Sequence, residues 1–264
     1  MVHEVGYMES THRPEAKSMK LDIVMWTKNS SKLLPVVLSR IEQVIPESNI
    51  HEKRIIDDWS SDDTLDVAKD HGWSVMLNYG RGVNAAIKTA FSTIQTEYFA
   101  SFEHDVIVSK DWWQKIPRWV LSGKYEVAQG IRYSTNRVFH EIDVFANERQ
   151  KIVSLDNTFY HTKAITVSKG SPDATRIRWF VDRSVISEHV KPKSTLKVMQ
   201  HDYRIHVACH STEVYRSFRI ALTSPLVSLI ASWKRKCPLI TLVYPLDRIM
   251  ILAANLKGKI ASMC

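Results

Sequence analysis

Acidic side chains stand in two clusters in the first half of this chain. In the first, four carboxylates fall within the eight residues Asp57 to Thr64. In the second, Glu103 and Asp105 flank His104 directly after the apolar run Tyr98 to Phe102. Two carboxylates one residue apart can ligate a hard divalent cation such as Mg²⁺ or Mn²⁺, which would neutralise the charge on a departing diphosphate. By itself such a triplet is a weak signal, because charged triplets are common in solvated loops.

The first cluster has two expected uses. Carboxylates packed so closely repel one another unless they cap a helix or meet hydrogen-bond donors. Ser61, Asp62 or Asp63 can cap a helix that is predicted to begin near Thr64, by accepting hydrogen bonds from its free N–H groups. Asp57 and Asp58 come earlier, at the end of a strand, where a carboxylate can accept hydrogen bonds from a base or a ribose. We therefore predict ligand binding for the first pair and helix capping for the second.

Apolar runs and helical spacings alternate over the first part of the chain. The apolar runs predict strands near residues 21–26, 54–56, 74–77 and 98–102, with helices between them. This order predicts an α/β fold with parallel strands, in which ligands bind beyond the carboxyl ends of the strands. A polar cluster follows each predicted strand: Thr27 to Asn29, Asp57 to Thr64, Asn78 to Arg81, and Glu103 to Asp105. The four clusters predict one binding site at that edge of the sheet.

The second half of the chain is less regular. Strands are predicted over 126–132, 143–146 and 154–160, and residues 175–188 mix strand and helix signals. No GxGxxG follows the first strand and the chain has no GxxxxGK[ST], so two familiar phosphate-binding loops are excluded.

Four motifs resemble those of family 2 glycosyltransferases. Residues 55–64 (IIDDWSSDDT) resemble that family's VDDxSxDxT signature, and residues 26–29 (WTKN) are similar to its PTYN turn. Residues 78–86 (NYGRGVNAA) resemble its NxGxxxA segment, and residues 97–105 (EYFASFEHD) its strand and metal motif. The order and the spacing match over about residues 20 to 110.

The resemblance implies a GT-A fold, which is a Rossmann-like, mainly parallel sheet flanked by helices. It implies inverting transfer from a nucleotide sugar, such as a UDP- or GDP-sugar, with Mn²⁺ or Mg²⁺ as cofactor. Carried over to this sequence, it implies that Thr27, Asn29, Asp57 and Asp58 bind the nucleotide. Arg81 is then expected near the phosphates or the ribose.

The metal ligands implied by the resemblance are Asp105 and Glu103. Glu103 stands where the family usually has Asp, so it could bind through water or contact the sugar, and Asp105 is the firmer ligand. Some family members add a late histidine to the metal site. Three histidines fall in that part of the chain, and His206 is our prediction among His201, His206 and His210.

The catalytic base of the family is an Asp in an acidic pair that follows the acceptor strand. Asp182 stands at about the right distance, with Val181 in place of the first acid, and we predict that it removes the acceptor's proton. Glu188 is the second candidate. The alternative for Asp182 is an ordinary surface ion pair with Arg178 or Arg183.

The C-terminal part of the chain is basic. The protein carries a net charge of +8, and residues 212–264 hold eight Lys or Arg but only two acids. This helical extension also contains apolar stretches at 220–233 and 237–246, too short to span a bilayer. Either these helices lie in an anionic membrane interface, which would suit a polyprenyl-phosphate acceptor, or they pack on the core.

The predicted organisation has three parts. Residues 1–19 form a flexible lead-in, residues 20–211 the glycosyltransferase domain, and residues 212–264 the extension. Within the domain, 20–110 is the nucleotide-binding half and 111–211 the acceptor half. Three scattered cysteines exclude a disulfide framework, and the N-terminus has no signal-peptide h-region. We therefore expect a cytoplasmic protein, peripheral on the membrane if the extension binds it.

Three functions remain open at this point. The first is the glycosyltransferase, with a glycan or a lipid-linked acceptor. The second is a sugar-phosphate nucleotidyltransferase, which would release pyrophosphate. The third is a non-catalytic protein that binds a membrane surface through the basic extension. A nucleic-acid partner is not expected.

Overall fold

The computed structural model describes residues 19–149, 153–167, 177–208 and 214–261. Of the lead-in predicted over 1–19, all but Met19 lies outside these ranges, and so does His210.

Strands and helices alternate along the described chain. The strands are β1 (Leu21–Thr27), β2 (Ile50–Asp57), β3 (Ser74–Leu77), β4 (Tyr98–Glu103), β5 (Val106–Ile107), β6 (Val127–Ser134), β7 (Asn157–His161) and β8 (Trp179–His189). The helices are α1 (Leu34–Val44), α2 (Thr64–Asp70), α3 (Val83–Ser92), α4 (Trp112–Lys115), α5 (Pro117–Leu121), α6 (Arg137–Arg149), α7 (Lys163–Val167), α8 (Thr195–Ala208), α9 (Val214–Arg235) and α10 (Ile240–Ala261).

The strands form one sheet in the order β3-β2-β1-β4-β7-β6-β8-β5. The four strands of the first half are parallel, and so are β6 and β8. By contrast β7 is antiparallel to both of its neighbours, and β5 is antiparallel to β8. The α/β fold with a mostly parallel sheet, predicted from the sequence, is confirmed.

Strand β1 lies at the centre of the core and is buried along its whole length. Leu21, Ile23 and Met25 belong to an apolar cluster that includes α1, whereas Val24 and Trp26 belong to one that includes α3. Successive side chains of a strand point to opposite faces, so helices cover both faces of the sheet. A strand covered on both sides needs an unbroken apolar run, which is what its sequence supplies.

The second half of the chain differs from prediction in one segment. Residues 143–146, predicted as a strand, lie inside α6. The buried side chains Val138, Phe139, Ile142 and Phe145 recur every three to four residues, which is the spacing of one helix face. A four-residue window hides that period, and the strand prediction was wrong for this reason.

Three helices, α8 to α10, follow the sheet, and α9 and α10 confirm that residues after 212 are helical where the structure describes them. The last two, α9 and α10, pack against each other along their length. Pro225 lies inside α9, where it cannot donate to the carbonyl of Ala221. The Ser224 hydroxyl donates to that carbonyl instead, at 2.7 Å. In the ranges that the structure describes, no helix has the length and apolar character needed to cross a bilayer.

Candidate active site

The carboxyl ends of the first four strands meet at one edge of the sheet. Thr27 is in register with Asp57, and Trp26 with Glu103. The backbone N–H of Asp58 donates to the carbonyl of Thr27 at 2.9 Å. The polar clusters predicted to share one edge are therefore side by side.

Asp57 and Asn29 hold the loops that follow β1 and β2. The buried carboxylate of Asp57 accepts hydrogen bonds from the Ser60 backbone N–H (2.9 Å) and hydroxyl (2.5 Å). The amide oxygen of Asn29 accepts from the backbone N–H of Ser61 at 2.8 Å, and Asn29 itself has a positive φ of 49°. Thr27 lies beside them, with its hydroxyl 2.5 Å from that of Ser30. These hydrogen bonds hold the loops after β1 and β2 in place without a ligand.

Asp58 organises the next loop. One of its oxygens accepts from the Asn78 side chain and from the Gly82 backbone N–H, both at 2.7 Å. Its other oxygen pairs with Lys28 at 3.2 Å. Arg81, on the loop that Asp58 holds, has a φ of 51° and places its guanidinium 5.1 Å from the centre of the Trp59 ring.

Asp62 has the predicted capping role. Its carboxylate accepts from the backbone N–H of Thr64, the first residue of α2, at 3.2 Å, and from the Ser31 hydroxyl at 2.8 Å. Desolvation opposes ionisation of Asp62, but the hydrogen bonds from Thr64 and Ser31 outweigh it and lower its pKa to about 2. Asp63 occupies the N-cap position without a side-chain hydrogen bond to the helix.

Asp105 faces a histidine from the far end of the sheet. Its carboxylate lies 3.0 Å from the Nε2 of His189, the last residue of β8, and 3.9 Å from the Lys191 ammonium. Burial would raise the pKa of Asp105, but the hydrogen bond and charge of His189, with His104 and Lys191, hold it well below its usual range. Burial lowers the pKa of His189, which favours the neutral imidazole that a metal ion can bind.

The Asp105–His189 pair fits a divalent cation. The Asp105 carboxylate oxygen and the His189 Nε2, which are hydrogen-bonded to each other at 3.0 Å, are both atoms that could ligate such a cation. Mg²⁺ strongly prefers oxygen, so the imidazole nitrogen favours a transition metal such as Mn²⁺. Among the described residues no group of three Asp, Glu, His or Cys side chains could enclose a metal. The remaining ligands would come from solvent or substrate.

Glu103 lies at the same edge but is engaged by an arginine. Its carboxylate accepts from Arg132 at 3.1 Å, and Arg132 also pairs with the buried Asp156. The three predicted ligands Asp105, Glu103 and His206 therefore do not form one closed cluster, although all three border the same cavity.

That cavity measures about 350 Å³ and opens at the carboxyl edge. Polar side chains line it from the sheet and from helices α6, α8 and α10: Glu103, Asp105, Arg132, His189, Lys191, Asp143, Asp202, His206 and Arg248. His206 contributes from α8, and burial lowers its pKa. His201 is on the same helix but is not among the lining residues.

Asp143 is a partly buried acid in this cavity. It projects from α6, and one carboxylate oxygen accepts from the Ser134 backbone N–H at 2.8 Å. Burial raises its pKa from 3.8 to about 6, against the opposing effects of that hydrogen bond and of the charges of Arg132 and Lys191. A carboxyl group with such a pKa can exchange a proton near neutral pH.

Asp182, the predicted base, has a different environment. Its carboxylate accepts from the Ser184 hydroxyl (2.7 Å) and the Trp119 indole (3.0 Å), and lies 3.7 Å from Arg118. Burial would raise its pKa, but the hydrogen bonds from Ser184 and Trp119 lower it instead. Asp182 is absent from the residues that line the Asp105 cavity.

The register of β6 and β8 gives the distance between Asp182 and the carboxyl edge of the sheet. Asp182 is opposite Gly130, and His189 is opposite Ser134, so Asp182 lies roughly 13 Å down the strand from the edge. Glu188, the second candidate, is exposed and lines a separate cavity of about 290 Å³ beside Tyr133.

The cavity residues that the sequence analysis did not identify include His189, Lys191 and Asp143. His189 and Lys191 lie at the carboxyl end of β8, where a binding residue is expected, but the sequence does not indicate where β8 ends. Asp143 had no such signal, because its segment was predicted as a strand.

The family model of glycosyl transferase family 2 matches residues 22–190. The chain belongs to this family. The matched range runs from β1 to just after the end of β8, so it includes His189. Helices α8 to α10 lie beyond it. This glycosyltransferase has the GT-A fold of its family.

Solved structures with the same fold support that assignment. The mannosyltransferase PcManGT from Pyrobaculum calidifontis, solved with GDP-Man and Mn²⁺, aligns with a TM-score of 0.57 at 15% identity over 89% of this chain and 73% of that one. Glucosyl-3-phosphoglycerate synthase from Mycobacterium tuberculosis, solved with Mn²⁺, UDP and glucosyl-3-phosphoglycerate, aligns with a TM-score of 0.51 at 12% identity over 79% and 85%. S. aureus TarS, solved with UDP-GlcNAc, aligns with a TM-score of 0.50 at 13% identity over 89% and 79%.

Proposed function

We propose that this family 2 member transfers a sugar, with inversion, from a UDP- or GDP-sugar to a hydroxyl or phosphate acceptor, using Mn²⁺ or Mg²⁺. The observation that carries the proposal is the Asp105–His189 pair, 3.0 Å apart, at the sheet edge that also holds Asp57 and Asp58. A metal-binding pair beside a nucleotide-binding edge matches what two structures of the same fold contain, a nucleotide and Mn²⁺.

The nucleotide is proposed to bind along β1 and β2. Thr27, Asn29 and Asp57 form the turn that would meet the base and ribose. Asp58 would act mainly by ordering the loop that carries Arg81, since its oxygens are already bonded to that loop and to Lys28. The guanidinium of Arg81 would then interact with the ribose or the phosphates.

The metal is proposed to bind Asp105 and His189, with Glu103 and His206 facing the same cavity. When bound, the cation would offset the negative charge that develops on the leaving nucleoside diphosphate. Lys191, 3.9 Å from Asp105, would add a second positive charge near that group. Asp105 keeps its negative charge for this role because its pKa is held low.

The base that accepts the acceptor's proton is proposed to be Asp143. It borders the metal cavity, whereas Asp182 lies roughly 13 Å from the edge and Glu188 lines another cavity. The raised pKa of Asp143, about 6, makes it a stronger base than an ordinary carboxylate while leaving it ionised at pH 7.

Helices α9 and α10 are proposed to lie on an anionic membrane, with residues 212–264 as a membrane-facing extension of the 20–211 domain. Their exposed side chains include a row of large apolar groups at helical spacing. We call this row the apolar face: Leu222, Leu226, Leu229 and Trp233 on α9, and Leu242, Leu246, Ile249 and Leu256 on α10. Exposed Lys234, Lys236 and Lys257 flank it, and apolar groups beside lysines are typical of interfacial helices.

A donor panel tests the function. The protein is incubated with Mn²⁺ and a set of UDP- and GDP-sugars, and the released phosphates are identified. Slow release of a nucleoside diphosphate from one donor, accelerated by the acceptor, is expected. Pyrophosphate from a nucleoside triphosphate and a sugar phosphate would indicate a nucleotidyltransferase instead. If no donor is consumed or bound, the proposal is contradicted and the non-catalytic alternative gains support.

A further inference from the structure

Trp59 occupies a backbone position that is unfavourable for a bulky residue. It follows Asp57 and Asp58 at the carboxyl end of β2, and its φ is 62°. This left-handed conformation suits glycine or asparagine, because in other residues the Cβ crowds the backbone. A tryptophan here is strained, and strain of this kind is concentrated at functional sites.

Packing in the core does not account for the tryptophan. Its side chain is 42% exposed, and it belongs to none of the apolar core clusters that the described residues form. The ring is nevertheless fixed, because the indole N–H donates to the backbone carbonyl of Asn78 at 3.0 Å. The chain therefore holds a flat apolar group at the edge of the sheet and leaves part of it open to solvent.

Two further planar side chains lie beside the indole. The ring of Tyr79, which is 79% exposed, meets the indole edge to face, with 6.2 Å between the ring centres. The guanidinium of Arg81 lies 5.1 Å from the centre of the indole. Nucleobases stack on exposed aromatic rings and on guanidinium groups. Trp59 and its two neighbours therefore form the kind of surface on which a base binds.

The distance from Trp59 to the proposed metal pair suits a nucleoside diphosphate. Trp59 follows β2, and its hydrogen bond to Asn78 joins it to the residue after β3. Asp105 follows β4, which is separated from β2 by β1 alone. Neighbouring strands are about 4.8 Å apart, so the ends of β2 and β3 lie about 10–14 Å from the end of β4. An extended nucleoside diphosphate can span that distance, with its base at Trp59 and its phosphates at Asp105.

We infer that Trp59 stacks on the nucleobase of the donor, and that this contact makes the enzyme prefer a purine, hence GDP over UDP. The inference rests on the proposed function, because it chooses between the two donor classes given there. The free energy of stacking increases with the apolar area that the two rings cover. The bicyclic indole can cover both rings of guanine, whereas uracil offers a single ring.

The test compares GDP with UDP by calorimetry, using the full chain and Mn²⁺. The wild type should bind GDP at least about threefold more tightly than UDP. Trp59→Gly removes the ring and accepts the positive φ, so the variant should fold. Its affinity for GDP should be at least about fivefold lower than that of the wild type. Its ratio of GDP to UDP affinity should be at least about threefold lower.

Two further variants serve as controls. Trp59→Phe keeps a smaller aromatic ring on the same backbone, so it should retain part of the affinity for GDP and part of the preference for it. Trp233→Leu removes another exposed tryptophan, which lies on α9 and is 81% exposed. It should leave the affinities for both nucleotides within about twofold of the wild type.

The ratio of affinities separates stacking from a structural role. If Trp59 only held the Asn78 loop through its indole N–H, Trp59→Gly would weaken GDP and UDP equally. That result, or unchanged binding of GDP, would overturn the stacking inference. UDP binding to the wild type as tightly as GDP would overturn the purine preference and leave the proposed function intact. If neither nucleotide binds to the wild type, the proposed function fails and this inference fails with it.

Discussion

Carboxylates at the edge of the sheet have two kinds of partner in this enzyme. Asp57, Asp58 and Asp62 accept hydrogen bonds from nearby loops and keep those loops in place. Asp105 instead faces an imidazole and an ammonium group, brought from 84 residues away in the case of His189. In the proposed function, the first group shapes the nucleotide-binding surface, and Asp105 would supply the charge that a cation needs.

Replacement of Asp143 tests its role as the base. Asp143→Asn removes the proton acceptor but keeps the shape of the side chain, so kcat should fall roughly 100- to 10,000-fold, with little change in the KM for the donor. In the wild type, kcat/KM should rise with pH through about 6, because the pKa of Asp143 is raised to about 6. Steady-state kinetics from pH 5 to 8 measures both.

Asp182→Asn is the matched control. It should keep most of the activity and the same pH profile, because Asp182 is outside the cavity. A large loss in Asp182→Asn combined with near-normal activity in Asp143→Asn would reverse the two assignments.

The raised pKa of Asp143 also predicts how stability depends on pH. Well below pH 4 the carboxyl is protonated in the folded and unfolded states. As the pH rises, the unfolded chain releases its proton first, since the pKa is 3.8 unfolded and about 6 folded, so the folded state loses stability up to about pH 6. Between pH 4 and 7, wild type should lose on the order of 2 kcal/mol relative to Asp143→Asn. Urea unfolding at both pH values measures the difference, and a constant difference would contradict it.

The sequence could indicate the carboxylates at strand ends but not their partners. Asp105 was found because it directly follows an apolar strand, and Asp57 because it begins a motif. His189 meets Asp105 only through the order of strands in the sheet, which no local pattern encodes. The predicted late histidine, His206, borders the same cavity without joining the pair.

Among the elements, the pairing of β6 with β8 depends on a glycine. A Cβ on Gly130 would lie 2.6 Å from the backbone oxygen of Val185, where β8 bulges between Asp182 and Ile186. Because a backbone atom cannot move aside as a side-chain tip can, Gly130→Ala should destabilise the fold by about 1–3 kcal/mol or more. Chemical denaturation measures the loss.

Gly123→Ala provides the comparison for that variant. Gly123 has a positive φ of 73° but no atom within 4 Å of an added Cβ, so only backbone strain of about 1–2 kcal/mol is expected. If Gly130→Ala is no more destabilising than a surface substitution, β6 and β8 do not approach each other so closely at Gly130.

The elements of the first half were predictable because each carries its own signal. Strands β1 and β4 are apolar runs of nearly the right length, and the helices between the strands have regular spacing. Strand β2 was predicted over residues 54–56 alone, because its preceding residues His51 to Lys53 are polar. Helix α6 was missed because its buried residues were judged over too few positions. Proline usually ends a helix, yet Pro225 and Pro245 lie inside α9 and α10. At Pro225 the Ser224 hydroxyl replaces the backbone N–H that proline lacks, and the amino-acid composition does not reveal such a local hydrogen bond.

On the scale of the whole molecule, α9 and α10 expose a row of large apolar side chains, which is unusual for helices that face only water. Leu226→Glu together with Leu229→Glu should weaken binding to phosphatidylglycerol vesicles by at least about tenfold, because each Leu contributes about 1.5–3 kcal/mol when buried. Raised salt should weaken wild-type binding as well, since the flanking lysines attract anionic lipids. Vesicle sedimentation measures both effects.

Val36→Glu is the control for this surface. Val36 is 51% exposed on α1, outside the C-terminal helices, so its replacement should leave vesicle binding unchanged. Equal binding of wild type and the double Leu variant would contradict a membrane role for the apolar face and favour packing against another protein surface.

Metal-dependent binding of a nucleoside diphosphate depends most directly on Asp105 and His189. Calorimetric titration of UDP and of GDP, with and without Mn²⁺, should reveal binding that Mn²⁺ strengthens in the wild type and that His189→Ala and Asp105→Asn weaken at least about tenfold. His51→Ala is the control, since His51 forms a similar pair with Asp22, at 2.7 Å, near the opposite end of the strands. Unchanged Mn²⁺-dependent binding in His189→Ala and Asp105→Asn, or an equal loss in His51→Ala, would contradict the assignment of this pair as the metal site.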